Sequence, residues 1–156
     1  MGSIVHLQGV DIAQGDNLLL QGVNFDLLPG EFFYLVGRVG SGKSSFISTL
    51  IGQLPLRNGE GSVCGYNLAR LRPSDIPYLR RNIGVVFQDF KLLSDRNIER
   101  NLYFVLRATG WNNKAAIRER IELVLSLVDM QHKAYKMPNQ ISGGEQQRVA
   151  IARALL

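Results

Sequence analysis

Residues 37–44 of this 156-residue chain combine glycines, hydroxyl side chains and one lysine at a spacing suited to phosphate binding. They fit the pattern G-x-x-x-x-G-K-[ST] and read Gly37, Arg38, Val39, Gly40, Ser41, Gly42, Lys43 and Ser44. Glycines let the backbone bring its N–H groups close to an anion. The lysine supplies a positive charge for the β- and γ-phosphates of a nucleotide, and the last serine supplies a hydroxyl ligand for Mg²⁺. We call this segment the phosphate loop (residues 37–44), and the predicted nucleotide contacts extend to Ser45.

The phosphate loop has the flanking elements that its pattern requires. The apolar run 32–36 predicts a buried strand before it. Residues 45–51 predict a helix that closes at Gly52, so the positive end of the helix dipole would face the bound anion. The alternative is an ordinary glycine-rich turn between a strand and a helix. The order of strand, loop and helix favours the phosphate site over that alternative.

The composition is that of a globular protein, with 46% hydrophobic and 20% charged residues. No apolar run approaches the roughly 18 residues of a membrane-spanning helix, and the N-terminus lacks the pattern of a secretory signal. A cytoplasmic location is therefore predicted. The net charge of +5 is dispersed and does not by itself indicate nucleic acid. The single cysteine, Cys64, can form neither an internal disulfide nor a cysteine metal pair, and is predicted to be a small core or loop residue.

The sequence pattern predicts mostly strands in the first part of the chain and helices after them. Strand-like stretches bounded by turn residues cover 4–10, 18–28, 31–36, 61–65 and 83–87. The helical period then appears over 115–130, where either Asn112 or Asn113 can cap the helix. A last helix is predicted from Ser142 to Leu155. No repeat or linker divides the chain, which predicts a single domain over residues 1–156.

A second pair of glycines opens that last predicted helix, in the run Ile-Ser-Gly-Gly-Glu at 141–145. Backbone N–H groups, a serine hydroxyl and the helix dipole again suit an anion. The alternative for Ser142 is an ordinary helix N-cap, and the two roles are compatible. Two helix starts suited to anions within one chain are unusual, so the two segments are best interpreted together.

These two segments, with Val86-Phe87-Gln88 between them, resemble the motifs of the ABC-type ATPases, whose signature reads L-S-G-G-Q. In that family two chains clamp two ATP molecules head to tail as a homodimer. The resemblance implies that Gln88 senses the nucleotide and, with Ser44, Mg²⁺; on its own, Gln88 would be an ordinary glutamine at a strand end. The residues that would complete the ATP site of the partner chain are Ser142, Gly143, Gly144 and Glu145. We call residues 141–145 the signature turn.

The stretch 79–96 resembles in particular the cell-division branch of the family, the FtsE type. This resemblance implies a membrane partner of the FtsX type, control of septal cell-wall hydrolysis, and a peripheral location at the inner face of the cell membrane, with no nucleic acid bound. Branches that power lipoprotein release or macrolide export share the general pattern and are the alternatives. Residues 89–107 are the predicted contact with the membrane partner.

The resemblance also implies the fold, an α/β P-loop NTPase of the ABC type. Such a domain has a parallel α/β core, an antiparallel β subdomain, and a helical subdomain that here covers about 89–139. One departure concerns the adenine ring, which the family stacks on an aromatic residue in the first β-loop. Ala13 or Gln14 stands at that position, so we expect the phosphates to dominate binding.

A second departure is that the sequence ends at Leu156, before the family's Mg²⁺ aspartate, catalytic glutamate and switch histidine. We therefore expect a C-terminally truncated cassette with an incomplete core, exposed apolar surface and no catalytic residue of its own. Such a chain should bind ATP better than it hydrolyses it. A non-catalytic, self-associating nucleotide-binding fragment is the alternative function. A soluble ABC ATPase acting on DNA or ribosomes, and a kinase or GTPase outside the family, fit the motifs and the length less well.

Overall fold

The computed structural model describes residues 2–156, which form two compact units. Of the described residues, 2–83 belong to unit 1 and Gly84–Leu156 to unit 2. The single domain over residues 1–156 stays a prediction. In the part of the chain that the model describes, none of the helices is both long and apolar enough to cross a membrane.

Unit 1 is built on an antiparallel sheet with the strand order β2-β1-β3-β4. Its strands are β1 (Val5–Gln14), β2 (Asn17–Leu27), β3 (Leu56–Val63) and β4 (Tyr66–Asn67). The β1–β2 turn at Gly15 and Asp16 confirms the predicted hairpin, and β3 confirms the strand predicted near 61–65. Both predictions held because turn residues and alternating apolar residues mark these strands locally.

Among its described residues, unit 1 has two α-helices and a short 3₁₀ helix at Leu68–Arg70. Helix α1 (Lys43–Leu50) follows the phosphate loop and ends before Gly52, as predicted, and helix α2 (Ile76–Arg80) buries Leu79 completely. Phe46 of α1 packs edge-on against Phe25 of β2, with 5.5 Å between the ring centroids. This contact and the inward side chains of β1 form the core of the unit. The start of α1 is thereby held against the sheet.

Cys64 lies in the turn between β3 and β4, where its φ of 49° is left-handed. The loop alternative for this residue is therefore confirmed. The thiol is only partly exposed, and burial raises its pKa. A raised pKa keeps the thiol protonated at neutral pH, which makes it a poor nucleophile.

The buried strands predicted at 32–36 and 83–87 are wrong. Residues 31–39 and 83–87 carry no strand, and the exposed fraction reaches 77% for Phe32, 82% for Tyr34 and 86% for Val36. Within residues 2–156 no strand pairs with either segment. A parallel strand is an apolar run that needs a hydrogen-bonded neighbour and covered faces. Without a neighbour the apolar run alone does not make a buried strand.

Unit 2 is helical and packs three helices around one core. They are α3 (Ile98–Ala108), α4 (Lys114–Leu127) and α5 (Gly143–Ala154). The predicted helices 115–130 and 142–155 are confirmed, with the first ending at Leu127. Asn113 rather than Asn112 caps α4, because its side-chain oxygen accepts the N–H groups of Ala115 and Ala116. The buried faces contribute Ile98, Leu102, Leu106, Ile117, Ile121, Val124, Leu125, Val149 and Ala152.

Candidate nucleotide-binding site

The backbone of the phosphate loop turns through two left-handed glycines. Gly40 has a φ of 82° and Gly42 a φ of 87°. Gly42 immediately precedes α1, and a Cβ at this position would lie 3.0 Å from Cγ of Leu20 on β2. Other residues adopt such a backbone only at a steric cost. The glycine therefore sets the direction in which the loop enters the helix.

Lys43 belongs to the phosphate loop and is also the first residue of α1. Its ammonium donates hydrogen bonds to the carbonyl oxygens of Gly37 and Arg38, both at 2.7 Å, and lies 3.4 Å from Oγ of Ser41. No ion pair within residues 2–156 involves Lys43. The loop thus orients the ammonium through neutral oxygens, and its full positive charge is available to an anion.

The start of α1 is open in a way that suits an anion. No side chain caps it, and its first turn carries no acidic residue. The first N–H groups of any helix lack partners within the helix, and the dipole is positive at that end. Ser44 is exposed and Ser45 partly exposed at the same place. These donors fit phosphate, and the Ser44 hydroxyl is a hard oxygen ligand of the type that Mg²⁺ prefers.

Of the two residues predicted at the position of the missing aromatic, only one has an exposed side chain. Ala13 is buried, with 7% of its surface exposed, whereas Gln14 is exposed. Only Gln14 can therefore face a ligand at this turn. Arg57 of β3 crosses to the same turn, where its guanidinium hydrogen-bonds to the carbonyl of Gly15 and lies 3.6 Å from the carboxylate of Asp16.

The signature turn in unit 2 opens α5 with a complete capping box. The Oγ of Ser142 accepts the N–H of Glu145 at 3.3 Å, and the N–H of Ser142 donates to Oε2 of Glu145 at 2.9 Å. Because Oγ acts as the acceptor, the hydroxyl proton of Ser142 is free to donate elsewhere. The first-turn N–H groups of Gly143 and Gly144 lie beside it on the exposed surface.

Glu145 replaces the glutamine of the family signature and is a charged residue here. Lys133 donates to its Oε1, and the guanidinium of Arg148 lies 4.0 Å from the same oxygen. The hydrogen bond from Lys133, followed by that from the Ser142 N–H, lowers the pKa of Glu145 to about 2. The signature turn therefore contains a carboxylate that is ionised at neutral pH and paired with a lysine.

Gln88 lies in an exposed turn of unit 2, immediately before Asp89. Lys91 pairs with Asp89 at 2.7 Å, and this hydrogen bond lowers the pKa of the Asp89 carboxyl. The amide of Gln88 is thus presented on the surface, with no strand to hold it. The model brings residues 37–45 together within unit 1 and residues 141–145 together within unit 2.

One feature of unit 2 was not predicted from the sequence. A groove on α3 encloses a cavity of about 450 Å³ and is lined by Asp95, Arg96, Arg100, Tyr103, Phe104 and Arg107. Arg96 pairs with Asp95 at 2.8 Å and lies over the ring of Phe104, 5.1 Å from its centroid. The spacing of these basic and aromatic residues is that of one helical face, and that signal could have revealed the groove. We call it the α3 groove.

The comparison with protein families decides what kind of molecule carries these features. The model of the ABC transporter family matches residues 20–156. The chain belongs to this family. The predicted resemblance to ABC-type ATPases is therefore confirmed.

Three curated relatives are each named cell division ATP-binding protein FtsE. The protein of Streptococcus pneumoniae serotype 2 is 43% identical over 156 residues, which cover 99% of this chain and 67% of that protein. The Bacillus subtilis protein is 43% identical over 137 residues, 88% of this chain and 60% of the relative. The Escherichia coli K12 protein is 40% identical over 142 residues, which cover 91% of this chain and 64% of that protein. The chain thus spans about two thirds of the length of these relatives.

Solved structures confirm the predicted fold class. One is the dimeric ATP-binding cassette MJ0796 in a post-hydrolysis state bound to ADP and Pi, with a TM-score of 0.85 and 31% identity. That match covers 97% of this chain and 68% of the cassette. Another is cbiO1 of Clostridium perfringens, part of the complex cbiONQ, with a TM-score of 0.87 and 26% identity over 99% of this chain and 62% of that one.

Proposed function

We propose that this chain binds Mg-ATP in its phosphate loop and acts as the nucleotide-binding subunit of a membrane-associated ABC complex of the FtsE type. The observation that carries the proposal is the uncapped start of α1 beside the unpaired charge of Lys43. The relatives named for cell division support the choice of branch. Lipoprotein-release and macrolide-type exporters remain the alternative branches.

The residues of the phosphate loop account for phosphate binding. The N–H groups between Gly40 and Ser45 would donate to the β-phosphate, and Lys43 would neutralise charge on the β- and γ-phosphates. Ser44 and Gln88 are the side chains that would hold Mg²⁺. The bound Mg-ATP would supply the bond that is hydrolysed. Because two carbonyls already hold the Lys43 ammonium, little side-chain freedom would be lost on binding.

The signature turn would complete the ATP site of a second copy of the chain. The free proton of the Ser142 hydroxyl and the N–H groups of Gly143 and Gly144 are suitable donors to a γ-phosphate. A head-to-tail homodimer follows from this role, and the dimeric state of the MJ0796 cassette supports it. None of the residues assigned here is a catalytic base, so we expect ATP binding to exceed turnover in this chain.

The membrane partner, of the FtsX type, would dock on residues 89–107 at the inner face of the cell membrane. The α3 groove lies in this stretch and offers basic and aromatic side chains. Arg96→Glu, which also breaks the pair with Asp95, should strongly reduce recovery of the complex after co-expression. Glu122→Lys, on α4 outside the groove, is the matched charge reversal and should leave recovery unchanged. Equal recovery of all three proteins would contradict this docking site.

A titration calorimetry experiment with Mg-ATP tests the phosphate site. Lys43→Ala should weaken binding about 10- to 100-fold, because charge-assisted hydrogen bonds contribute roughly 1.5–3 kcal/mol. The control is Lys114→Ala, which removes the same charge from the exposed first turn of α4. Its affinity should equal that of the wild type. Equal affinities of wild type and Lys43→Ala would overturn the proposal.

One observation favours the second candidate, a self-associating fragment. Phe32, Tyr34 and Val36 are exposed, and the ring centroids of Phe32 and Tyr34 lie 4.9 Å apart, so this segment offers apolar surface of the kind that marks association. Association through this surface should not depend on ATP, whereas the head-to-tail dimer should. Light scattering with and without Mg-ATP, repeated on Tyr34→Ser, separates the two. If association requires ATP and is unchanged in Tyr34→Ser, the self-associating fragment is excluded.

A further inference from the structure

The segment that follows Gln88 is bound to α5 by one side chain. Arg153, in the last turn of α5, donates from Nη1 to the carbonyl of Lys91 at 2.7 Å and from Nη2 to the carbonyl of Phe90 at 2.6 Å. Arg153 is only partly exposed, and burial lowers its pKa, yet an arginine keeps its charge at neutral pH. We call residues 89–97 the strap.

The two carbonyls belong to residues with an unusual backbone. Phe90 has a φ of 56° and Lys91 a φ of 48°, so two consecutive residues other than glycine are left-handed. This conformation is costly for side chains that carry a Cβ and persists when the surroundings hold it. Here the planar guanidinium holds both carbonyls at once, a geometry that suits arginine.

The far end of the strap is held by a different helix. Asn101 of α3 is 2% exposed; its Oδ1 accepts the N–H of Leu93 at 2.7 Å, and its Nδ2 donates to carbonyls of the strap at 3.0 Å. Between the two anchors, Leu92 packs against the core of unit 2. The strap therefore has one anchor on α5 and another on α3, beside the α3 groove.

The last turn of α5 also contacts the chain on the other side of Gln88. A Cβ placed on Gly84 would lie 2.6 Å from the carbonyl oxygen of Ala154. Helix α5 is 12 residues long and begins at the signature turn. Since a helix moves as a rigid rod, a displacement at Ser142 would be carried to Arg153, about 16 Å away along the axis.

We infer that Arg153 is a positioning residue: it holds the strap in its left-handed turn and so joins the signature helix α5 to the segment between Gln88 and the α3 groove. The residue itself touches neither the phosphate loop nor the signature turn. Its importance for a membrane partner rests on the proposed function, but its effect on the strap does not.

Amide hydrogen exchange in the full chain tests the inference. Arg153→Met should speed exchange at the hydrogen-bonded amides of Phe90, Lys91 and Leu93 by about tenfold or more, with α4 unchanged. Arg148→Met removes an arginine from the exposed side of the same helix and should leave the strap unchanged. Unaltered exchange in Arg153→Met would overturn the inference.

A rescue experiment separates positioning from a general loss of stability. Adding Lys91→Gly to Arg153→Met should restore most of the protection at Phe90 and Leu93, because glycine adopts the left-handed backbone without steric cost. Lys91→Ala removes the same side chain without that freedom and should not restore it. Equal behaviour of the two double variants would contradict the role assigned to Arg153.

The outcome is separable from that of the proposed function. The affinity of Arg153→Met for Mg-ATP should equal that of the wild type, whereas that of Lys43→Ala should be about 10- to 100-fold weaker. If Lys43→Ala binds normally while the glycine rescue succeeds, the proposed function fails and the role of Arg153 stands. If Lys43→Ala binds Mg-ATP more weakly while the glycine rescue fails, the inference about Arg153 is wrong and the proposed phosphate site stands.

Discussion

The two helix starts that contain glycine and serine are built in opposite ways. Helix α1 begins at a left-handed Gly42 with no side-chain cap, whereas α5 begins at Ser142 with a capping box that Glu145 closes. Both sequences offer N–H groups, hydroxyls and a positive dipole end. At α1 no side chain caps these groups, whereas at α5 Ser142 and Glu145 satisfy part of them.

Under the proposed function, this contrast explains how the two helix starts would share one ligand. The open start next to Lys43 would bind phosphates before any partner arrives. The capped start of α5 is stable without a ligand and keeps only the Ser142 hydroxyl proton and the neighbouring N–H groups for an incoming phosphate. We therefore expect α1 to provide most of the affinity and α5 to provide the contact that depends on dimerisation.

The largest expected difference between the two starts is protection by ATP. At a protein concentration too low for dimers, Mg-ATP at 100 times its Kd should stabilise the site that binds it by about 2.7 kcal/mol. Amide exchange measured by mass spectrometry should slow in α1 and stay unchanged in α5. If Mg-ATP slows amide exchange equally in α1 and α5 under these conditions, the two helix starts do not differ in how they bind the nucleotide.

Replacing a glycine by alanine at each start should have opposite effects. Gly42→Ala forces a left-handed backbone on alanine and places its Cβ against Leu20, so we expect a loss of about 1–3 kcal/mol in the free energy of unfolding. Gly143→Ala has open space and a helical backbone, and should gain up to about 1 kcal/mol. Urea denaturation of the two variants gives both values. Effects of the same sign would contradict the comparison.

Removing a serine hydroxyl should sharpen the contrast further. Ser142→Ala loses the acceptor for the Glu145 N–H and should cost about 1 kcal/mol of unfolding free energy. Ser44→Ala, at a start without a side-chain cap, should change stability by less than about 0.5 kcal/mol. Thermal unfolding of both variants without nucleotide is the measurement. A larger loss in Ser44→Ala would show that α1 is capped after all.

Acid should weaken the α5 start through Glu145. Its pKa is about 2 in the folded chain against 4.5 for a free side chain, so the native state favours the ionised carboxylate. Its contribution to stability is complete above pH 4.5 and is lost as the pH falls towards 2. Between these values the free energy of unfolding should fall more steeply for the wild type than for Glu145→Gln.

The control for the acid experiment is Glu119→Gln, which removes an exposed carboxyl from α4. The remaining carboxyl groups are common to the wild type, Glu145→Gln and Glu119→Gln. The difference between the wild-type and Glu145→Gln curves of unfolding free energy against pH therefore reports on Glu145 alone. Parallel curves for the wild type and Glu145→Gln between pH 4.5 and 2 would mean that the pair with Lys133 does not stabilise the turn.

Features that depend on near neighbours in the chain were predictable. The turn between β1 and β2, a cap at 112 or 113, the Ser142 cap and the end of α1 before Gly52 all involve residues at most a few positions apart. Turn residues and cap side chains act over such distances, so their types alone specify the local backbone. The strand predicted at 32–36 was wrong because a strand also needs hydrogen-bonded neighbours, which its own residues do not specify.

By itself, the sequence predicted the phosphate loop, the signature turn, the approximate bounds of α1, α4 and α5, and membership of the ABC family, because each rests on residues that are contiguous in the chain. Only the tertiary structure decided that Gln14 rather than Ala13 is exposed, that Lys133 neutralises Glu145, and that Arg153 holds the carbonyls of Phe90 and Lys91. Glu145 is 12 positions from its partner, and Arg153 is 62 and 63 positions from its own. Contacts at such separations form through packing, for which the local pattern carries no signal.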